Sequence, residues 1–185
     1  MFEIPQNILF LLNRLLENGH KAYIVGGCVR DILLGKTPDD YDVTTSATPQ
    51  EIISLFEKTI PTGIKHGTVT VLIDNEPIEV TTFRTENGYC DNRHPDKVEF
   101  VKDIAEDLAR RDFTVNAMAY NHREGLIDLH GGKADLENKI LRTVGDSDTR
   151  FKEDSLRILR LFRFASTLNF KTSETTLSSA LELSY

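Results

Sequence analysis

Two aspartates separated by one residue, Asp40 and Asp42, are the side chains in this sequence best suited to chemistry. If the chain is extended from Asp40 to Val43, the two-residue period of a strand places both carboxylates on one face. Two adjacent carboxylates repel each other unless a cation lies between them. A pair of hard divalent ions would satisfy them, and Mg²⁺ prefers carboxylate and phosphate oxygens as ligands.

A glycine pair lies upstream of these aspartates. The apolar run Tyr23–Val25 has the composition of a short strand, and Gly26 and Gly27 interrupt it. Adjacent glycines let main-chain N–H groups approach a phosphate closely, and Arg30 follows in a predicted short helix. Alone, Asp-x-Asp is more often a solvated turn, and Gly-Gly a plain turn. A phosphate cradle followed by an acid pair predicts nucleotidyl transfer.

Three segments resemble signatures of the class II tRNA nucleotidyltransferases and bacterial poly(A) polymerases, which belong to the polymerase-beta-like superfamily. The first signature is similar to residues 26–31 together with Asp40-Tyr41-Asp42. The second is similar to residues 110–117, Arg-Arg-Asp-Phe-Thr-Val-Asn-Ala. The third, which selects the base in the family, is similar to residues 153–157, Glu-Asp-Ser-Leu-Arg.

The resemblance covers nearly all of residues 23–163 and implies an α+β fold, with a small mixed sheet and flanking helices. We expect a catalytic head over residues 1–145 and a helical neck over residues 146–185, truncated before a helical body and tail. A fragment of this kind is expected to bind CTP and ATP but to add them poorly, because the surfaces that grip tRNA would lie beyond it.

The implied reaction adds CMP and AMP from CTP and ATP to the 3′ end of tRNA and releases pyrophosphate. The resemblance implies that Asp40 and Asp42 hold two Mg²⁺ ions and that Glu79 brings a third carboxylate to them. Strand periodicity alone favours a different interpretation of Glu79, as an outward-facing side chain with no role.

The resemblance also implies ten nucleotide-binding residues. The phosphate ligands are Gly26, Gly27, Arg30 and Arg111. The ribose ligands are Asp112 and Asn116, four residues apart on one face of a helix predicted over residues 103–117. The neck residues are Asp154, Arg157, Arg160 and Arg163.

A long neck helix is predicted over residues 150–167, capped by Asp148. On an ideal helical wheel, Asp154 falls in the apolar stripe beside Leu161, which is costly unless a partner is present. An ionised aspartate only accepts hydrogen bonds, and the arginine one turn on, Arg157, only donates them. Such a pair matches the amino group and ring nitrogen that cytosine and adenine both present.

Most other elements follow from periodicity and capping. Helices are predicted over residues 5–18 and 48–58, and strands over residues 67–73 and 77–83, with a turn between them. A further helix begins at residue 173. Residues 84–100 are polar and predict a mobile loop with a short strand at its end. In the family, a flexible loop here is typical of enzymes that add the terminal adenosine, but His94 stands where an arginine is expected.

Composition limits the classes of protein. The net charge of −7 argues against indiscriminate nucleic-acid binding, although residues 139–163 hold seven basic and four acidic side chains. Two cysteines, Cys28 and Cys90, are too few for a disulfide scaffold. No basic leader or membrane-spanning run is present, so we expect a cytoplasmic enzyme with no membrane partner. A homodimer is left open.

Three alternatives remain. The first is a poly(A) or A-only polymerase of the same family. The second is a non-catalytic NTP or tRNA-end binding module, which the presence of all three acids disfavours. The third is a metal-dependent phosphohydrolase, which the scattered histidines disfavour. Incubation with labelled CTP, ATP and tRNA lacking its 3′ end distinguishes all of them.

Overall fold

The computed structural model describes residues 3–89, 93 and 95–184 and has an α+β fold, as predicted. The strands are β1 Ala22–Val25, β2 Asp42–Thr45, β3 Thr59–Gly63, β4 Thr68–Ile73, β5 Glu76–Thr82, β6 Arg84–Asn87, β7 Lys97–Phe100, β8 Met118–Asn121, β9 Gly125–Asp128, β10 Ile140–Leu141 and β11 Lys171–Thr172. The α-helices are α1 Gln6–Glu17, α2 Gly27–Leu33, α3 Pro49–Leu55, α4 Ile104–Ala109, α5 Gly132–Asn138, α6 Ser147–Glu153, α7 Leu156–Leu168 and α8 Glu174–Glu182.

Seven strands form one mixed sheet in the order β3-β4-β5-β2-β1-β8-β9. Strand β2 pairs antiparallel with β1 and parallel with β5, and the parallel register places Val43 opposite Val80. Side chains alternate between the faces of a sheet, so the residues immediately before these valines, Asp42 and Glu79, lie next to each other on the same face.

The predicted helices that support this sheet are confirmed. Helix α1 buries Ile8, Leu11, Leu12 and Leu15 in the main core. Helix α3 begins with a complete capping box, in which Thr48 and Glu51 bind each other's main-chain N–H groups. No helix in the described part of the chain combines the length and the apolar character needed to cross a membrane.

The β4–β5 hairpin is also confirmed. Its two-residue turn, Asp74 and Asn75, has φ values of 53° and 66°, and residues of this type tolerate the left-handed conformation that tight hairpins need. Strand β3 and the β8–β9 hairpin were not predicted, because their sequences lack clear alternation of apolar and polar residues.

The short strand predicted at the end of residues 84–100 is confirmed as β7, but the segment before it differs from the predicted loop because it contains β6. Strands β6 and β7 pair antiparallel through four residues each and form a separate two-stranded sheet. Charged side chains rather than apolar ones hold its base: Arg84 and Arg110 both contact Glu86, at 2.7 and 3.0 Å. His94, on which part of the loop interpretation rested, lies outside the described residues, and so does Cys90.

The helix predicted over residues 103–117 was wrong in extent, since α4 ends at Ala109. The side chain of Asp112 accepts a hydrogen bond from the N–H of Phe113 at 2.7 Å, which competes with continuation of the helix. Phe113 then forms an isolated antiparallel bridge with Thr143, and its side chain is fully buried. Asp112 and Asn116 therefore do not share a helical face.

The long neck helix was also wrong, because it is broken into α6 and α7. Asp154 is extended at the break, with φ −141° and ψ 103°, and its carboxylate accepts a hydrogen bond from the N–H of Leu156. Asp146, rather than Asp148, caps α6 by accepting from the N–H of Thr149. Asp154 thus lies between two helices and not in an apolar stripe.

Candidate active site

The three predicted acids line one open cleft of about 680 Å³ beside the start of β2, and Asp39 and Glu76 line it as well. Asp40, Asp42 and Glu79 all have exposed side chains there. Desolvation and the negative charge of Asp40 raise the pKa of Asp42 above its ordinary value; Arg111 opposes this effect and Glu79 adds to it. Because the charges of Asp40 and Glu79 add to desolvation in raising the pKa of Asp42, these neighbouring acids favour a cation between them.

The chemical character of Asp40, Asp42 and Glu79 suits the binding of a divalent metal ion. They are oxygen donors with a surplus of negative charge, and they open to solvent at a cleft where further oxygens could enter. Within the described ranges, no group of three or more His, Cys, Asp or Glu side chains is already gathered as a metal site. Oxygens from a bound phosphate or from water would therefore have to complete the coordination.

Arg111 lies between these acids and the glycine pair. A Cβ atom at Gly26 would stand 3.1 Å from its Nη1, and Gly26 has φ 79°, where side chains are strained. The Nε of Arg111 is buried and has no hydrogen-bond partner in the described part of the structure. A guanidinium with an unused donor, next to Asp42 and a side-chain-free backbone, is suited to bind an anion.

A buried aspartate, Asp107, forms a salt bridge with Arg111. Asp107 is fully buried, and its carboxylate contacts Arg110 at 2.8 Å and Arg111 at 3.3 Å. It also accepts hydrogen bonds from the main chain of Arg84 and the hydroxyl of Thr44. Burial favours a higher pKa for Asp107, but the two arginines outweigh that effect and the pKa is lowered.

The predicted sugar ligands form a chain of contacts with arginines. Arg30 donates to the side-chain Oδ1 of Asn116 at 2.7 Å, and the side-chain Nδ2 of Asn116 donates to Asp112 at 3.3 Å. The second oxygen of Asp112 pairs with Arg160 of α7 at 2.6 Å. Arg30 also binds the carboxylate of its neighbour, Asp31. These predicted residues are brought together, but their polar groups already contact one another.

The predicted base-reading residues line a second pocket of about 270 Å³. Its lining residues are Arg110, Arg111, Asp112, Asp154, Arg157 and Arg160. Arg157 is only 7% exposed and donates to Glu153, to the carbonyl of Arg150 and to that of Arg110. Arg110 and Arg111 also line the small cavity that holds Asp42 and Glu79, so they separate the acids from this pocket. Arg163 is exposed and does not line it.

Comparison with known proteins matches this arrangement to one family. The family model of the poly A polymerase head domain matches residues 22–142, which include the acids, the glycine pair and residues 110–117, called the arginine segment below. The chain belongs to the poly A polymerase head domain family. All seven strands of the large sheet lie within the matched residues, and α6 to α8 follow them in the chain.

Individual relatives of this head domain are CCA-adding enzymes. One from Lactobacillus delbrueckii subsp. bulgaricus is 52% identical over 174 residues, which are 94% of this chain and 44% of the relative. A crystal structure of the Bacillus stearothermophilus CCA-adding enzyme in complex with CTP has a TM-score of 0.87 and 42% identity, and covers 94% of this chain and 42% of that one. A tRNA nucleotidyltransferase complexed with a primer tRNA and an incoming ATP analog has a TM-score of 0.75 and 36% identity, with 94% and 50% covered.

This head domain and its following helices thus span about two fifths to one half of the length of these relatives.

Sequence reasoning missed Asp107 and Glu86. Asp107 precedes Arg110 and Arg111 by three and four residues, the spacing at which helical side chains meet, so the pattern could have revealed it. Glu86 had no such signal, because it reaches Arg110 only through the β6–β7 pairing of the head domain.

Proposed function

We propose that this chain is the catalytic head and adjoining neck of a template-independent nucleotidyltransferase that adds CMP and AMP from CTP and ATP to the 3′ end of tRNA. One observation carries the proposal: the parallel pairing of β2 with β5 sets Asp42 beside Glu79, with Arg111 at the same cavity. Acids for a metal and a cation for a triphosphate are the parts that nucleotidyl transfer needs. The names and complexes of the relatives support the same reaction.

We infer that Asp40 and Asp42 hold two Mg²⁺ ions, with Glu79 assisting. Nucleotidyltransferases of this kind generally use divalent metal ions. Bound Mg²⁺ would lower the pKa of the attacking 3′-hydroxyl and neutralise charge on the triphosphate. The protein's own part is to fix the acids on β2 and β5, so that hydroxyl and α-phosphate approach each other in one orientation.

We infer that Gly26, Gly27, Arg30 and Arg111 hold the phosphates. Arg111 is the strongest member of this set, because its buried Nε has a free donor and Gly26 leaves it room. Arg30 would act beside the sugar ligands, since it already binds Asn116. Asp112 and Asn116 would form hydrogen bonds with the ribose hydroxyls, and these would replace some of the hydrogen bonds that the two residues now make with each other.

Base choice would rest on Asp154 and Arg157. The break between α6 and α7 leaves the carboxylate of Asp154 at the arginine-lined pocket, and the contacts of Arg157 fix its guanidinium there. An acceptor and a donor held in fixed positions satisfy cytosine and adenine, and would leave buried groups unpaired against uracil and guanine. Arg160, which lines the same pocket, would add positive charge beside this pair, and Arg163 would add positive charge further along α7.

The test combines binding with incorporation. With Mg²⁺ present, the chain is expected to bind CTP and ATP well above UTP and GTP, and to extend tRNA lacking its 3′ end slowly with labelled CMP and then AMP. Equal binding of all four nucleotides would contradict base selection by this pocket. Binding of CTP and ATP without any transfer would favour a non-catalytic nucleotide or tRNA-end binding module.

A poly(A) or A-only polymerase is the second candidate, because the matching family model is described as a poly A polymerase head domain. Incorporation of AMP with no incorporation of CMP in the same assay would favour it. The division into a head at residues 1–145 and a neck at residues 146–185, a homodimer and a cytoplasmic location stay predictions.

A further inference from the structure

One aromatic ring gathers three arginines at the junction of the head and the helices that follow it. The guanidinium carbon of Arg163 lies 4.8 Å from the centroid of the Phe164 ring, that of Arg160 lies 5.3 Å away and that of Arg30 lies 5.4 Å away. All three distances are within the range at which a ring face attracts a cation. Arg30 comes from α2, whereas the other two belong to α7.

The cluster carries more positive than negative charge. Arg30 pairs with Asp31 and Arg160 with Asp112. For Arg163, no ion pair is found within the described ranges, and its side chain is exposed. The three guanidinium groups repel one another because they carry like charge. The negative face of the ring offsets part of this repulsion, and the excess positive charge of the cluster can then attract an anion.

The ring itself is fixed by the head. Phe164 packs edge-to-face against Phe113, with centroids 5.9 Å apart and an interplanar angle of 83°. Phe113 is fully buried and follows Asp112 directly, in the segment that also contains Arg111. Phe164 therefore couples the position of α7 to the arginine segment through packing, and to Arg30 through its π face.

We propose that Phe164 is a positioning residue that holds Arg30, Arg160 and Arg163 as one binding cluster for the polyphosphate of the incoming nucleotide. This inference rests on the nucleotide-transfer function proposed above. Phe164 need not touch the nucleotide. It sets the three guanidinium groups at fixed places before the ligand arrives, which reduces the ordering that binding would otherwise require.

The test varies the charge distribution of the ring at nearly constant shape. Phe164 is replaced, by site-specific incorporation, with phenylalanine carrying increasing numbers of ring fluorines, which weaken the negative face. Binding of inorganic tripolyphosphate, CTP and cytidine is then measured by calorimetry. Tripolyphosphate and CTP affinity should fall stepwise, by about five- to tenfold over the series, while cytidine affinity stays constant.

Two variants separate positioning from packing. Phe164→Tyr keeps the π face and should bind tripolyphosphate as the unmodified chain does, whereas Phe164→Leu should lose about as much affinity as the most fluorinated ring. Phe162→Leu is the matched control on the same helix, since Phe162 is 46% exposed and lies outside the cluster. In an Arg163→Gln background the fluorination effect should shrink, because the two residues act together.

Constant tripolyphosphate affinity across the fluorinated series would overturn the inference, even if Phe164→Leu binds weakly, because packing alone would then explain the loss. If Phe164→Leu does not fold, the tripolyphosphate affinities of the fluorinated variants still test the inference. If the unmodified chain binds neither CTP nor tripolyphosphate, the proposed function fails together with this inference. If it binds both and fluorination changes nothing, only the role of Phe164 fails.

Discussion

Arg160 on α7 and Asp112 in the arginine segment form a salt bridge with an N–O distance of 2.6 Å. The carboxylate is buried, whereas the arginine side chain is 46% exposed, so the pair forms where α7 meets the head. Asp112 also accepts from Phe113 and Asn116. A residue predicted to bind ribose therefore also fixes the helix that carries Arg157, which is predicted to contact the base, so in the proposed function sugar binding and base selection would share one carboxylate.

Asp42→Asn should lower the rate of nucleotide transfer by more than about 10³-fold. Removal of one carboxylate weakens the binding of the metal ion, and with it the neutralisation of charge on the triphosphate. The fold should not lose stability. A carboxylate with a raised pKa in the folded chain makes stability fall as pH rises through that pKa, and asparagine removes this penalty at neutral pH.

The measurement for Asp42→Asn pairs an incorporation assay with thermal unfolding. Asp40→Asn should behave in the same way, and Glu79→Gln should be milder or equally severe. Loss of the folded circular dichroism signal in the Asp42 variant would favour a structural role for these acids instead.

Gly26→Ala should weaken CTP binding as well as stability. The new Cβ would stand 3.1 Å from the guanidinium of Arg111 in a backbone conformation with φ 79°, so both strain and displacement of Arg111 are expected. Gly19→Ala is the matched control, since Gly19 has φ 83° and nothing within 4 Å of the added atom. Each variant should lose about 1 kcal/mol of stability from strain.

Calorimetric titration with CTP distinguishes the two glycines. The Gly26 variant should bind several-fold more weakly, and the Gly19 variant as the unmodified chain does. Equal CTP affinity in both variants would show that Arg111 does not bind the phosphates from its present position.

Asp107→Asn should lower the free energy of unfolding by about 2–3 kcal/mol near neutral pH, because two arginines lose a buried counter-charge. The pKa of Asp107 is lowered in the folded chain, so its carboxylate contributes stability above the unfolded value of about 3.9 and loses that contribution as pH falls through the folded pKa. Denaturant unfolding at several pH values should show the gap between the two proteins narrowing in acid. A gap independent of pH would mean that the carboxylate's charge is not what stabilises this network.

Exchange of the base-reading pair, Asp154→Arg with Arg157→Asp, should raise incorporation of UTP and GTP relative to CTP and ATP. The ratio should change by about 10²-fold or more against either single variant. Arg157 contacts Glu153 at 2.7 Å, so an aspartate there would face a like charge and absolute rates should fall. Addition of Glu153→Gln is a control that relieves this repulsion. Loss of incorporation from all four nucleotides, with no relative gain for UTP or GTP, would contradict the role of this pair in base selection.

The sequence predicted those parts of the site in which short-range patterns decide the structure. The strand before Gly26, the β4–β5 hairpin and the capped α3 are confirmed because turn, capping and alternation signals are local. The helix break at Asp154 was not predicted, since an aspartate that binds its own main chain is compatible with both a helix and a break. The short strand that became β7 was predicted, but β6 was not, because its residues are polar and its Glu86 contacts Arg110, which is distant in sequence.

The parallel pairing of β2 with β5 also has a consequence for the order of folding. Between them the chain forms α3, β3 and β4, so Asp42 and Glu79 can meet only after this intervening segment has been closed into a loop. Hairpins and helices form from near neighbours and cost less loop entropy, so they are expected to precede the β2–β5 contact. During refolding, secondary structure should therefore recover before the two acids come together, and regained activity would report that this non-local contact has formed.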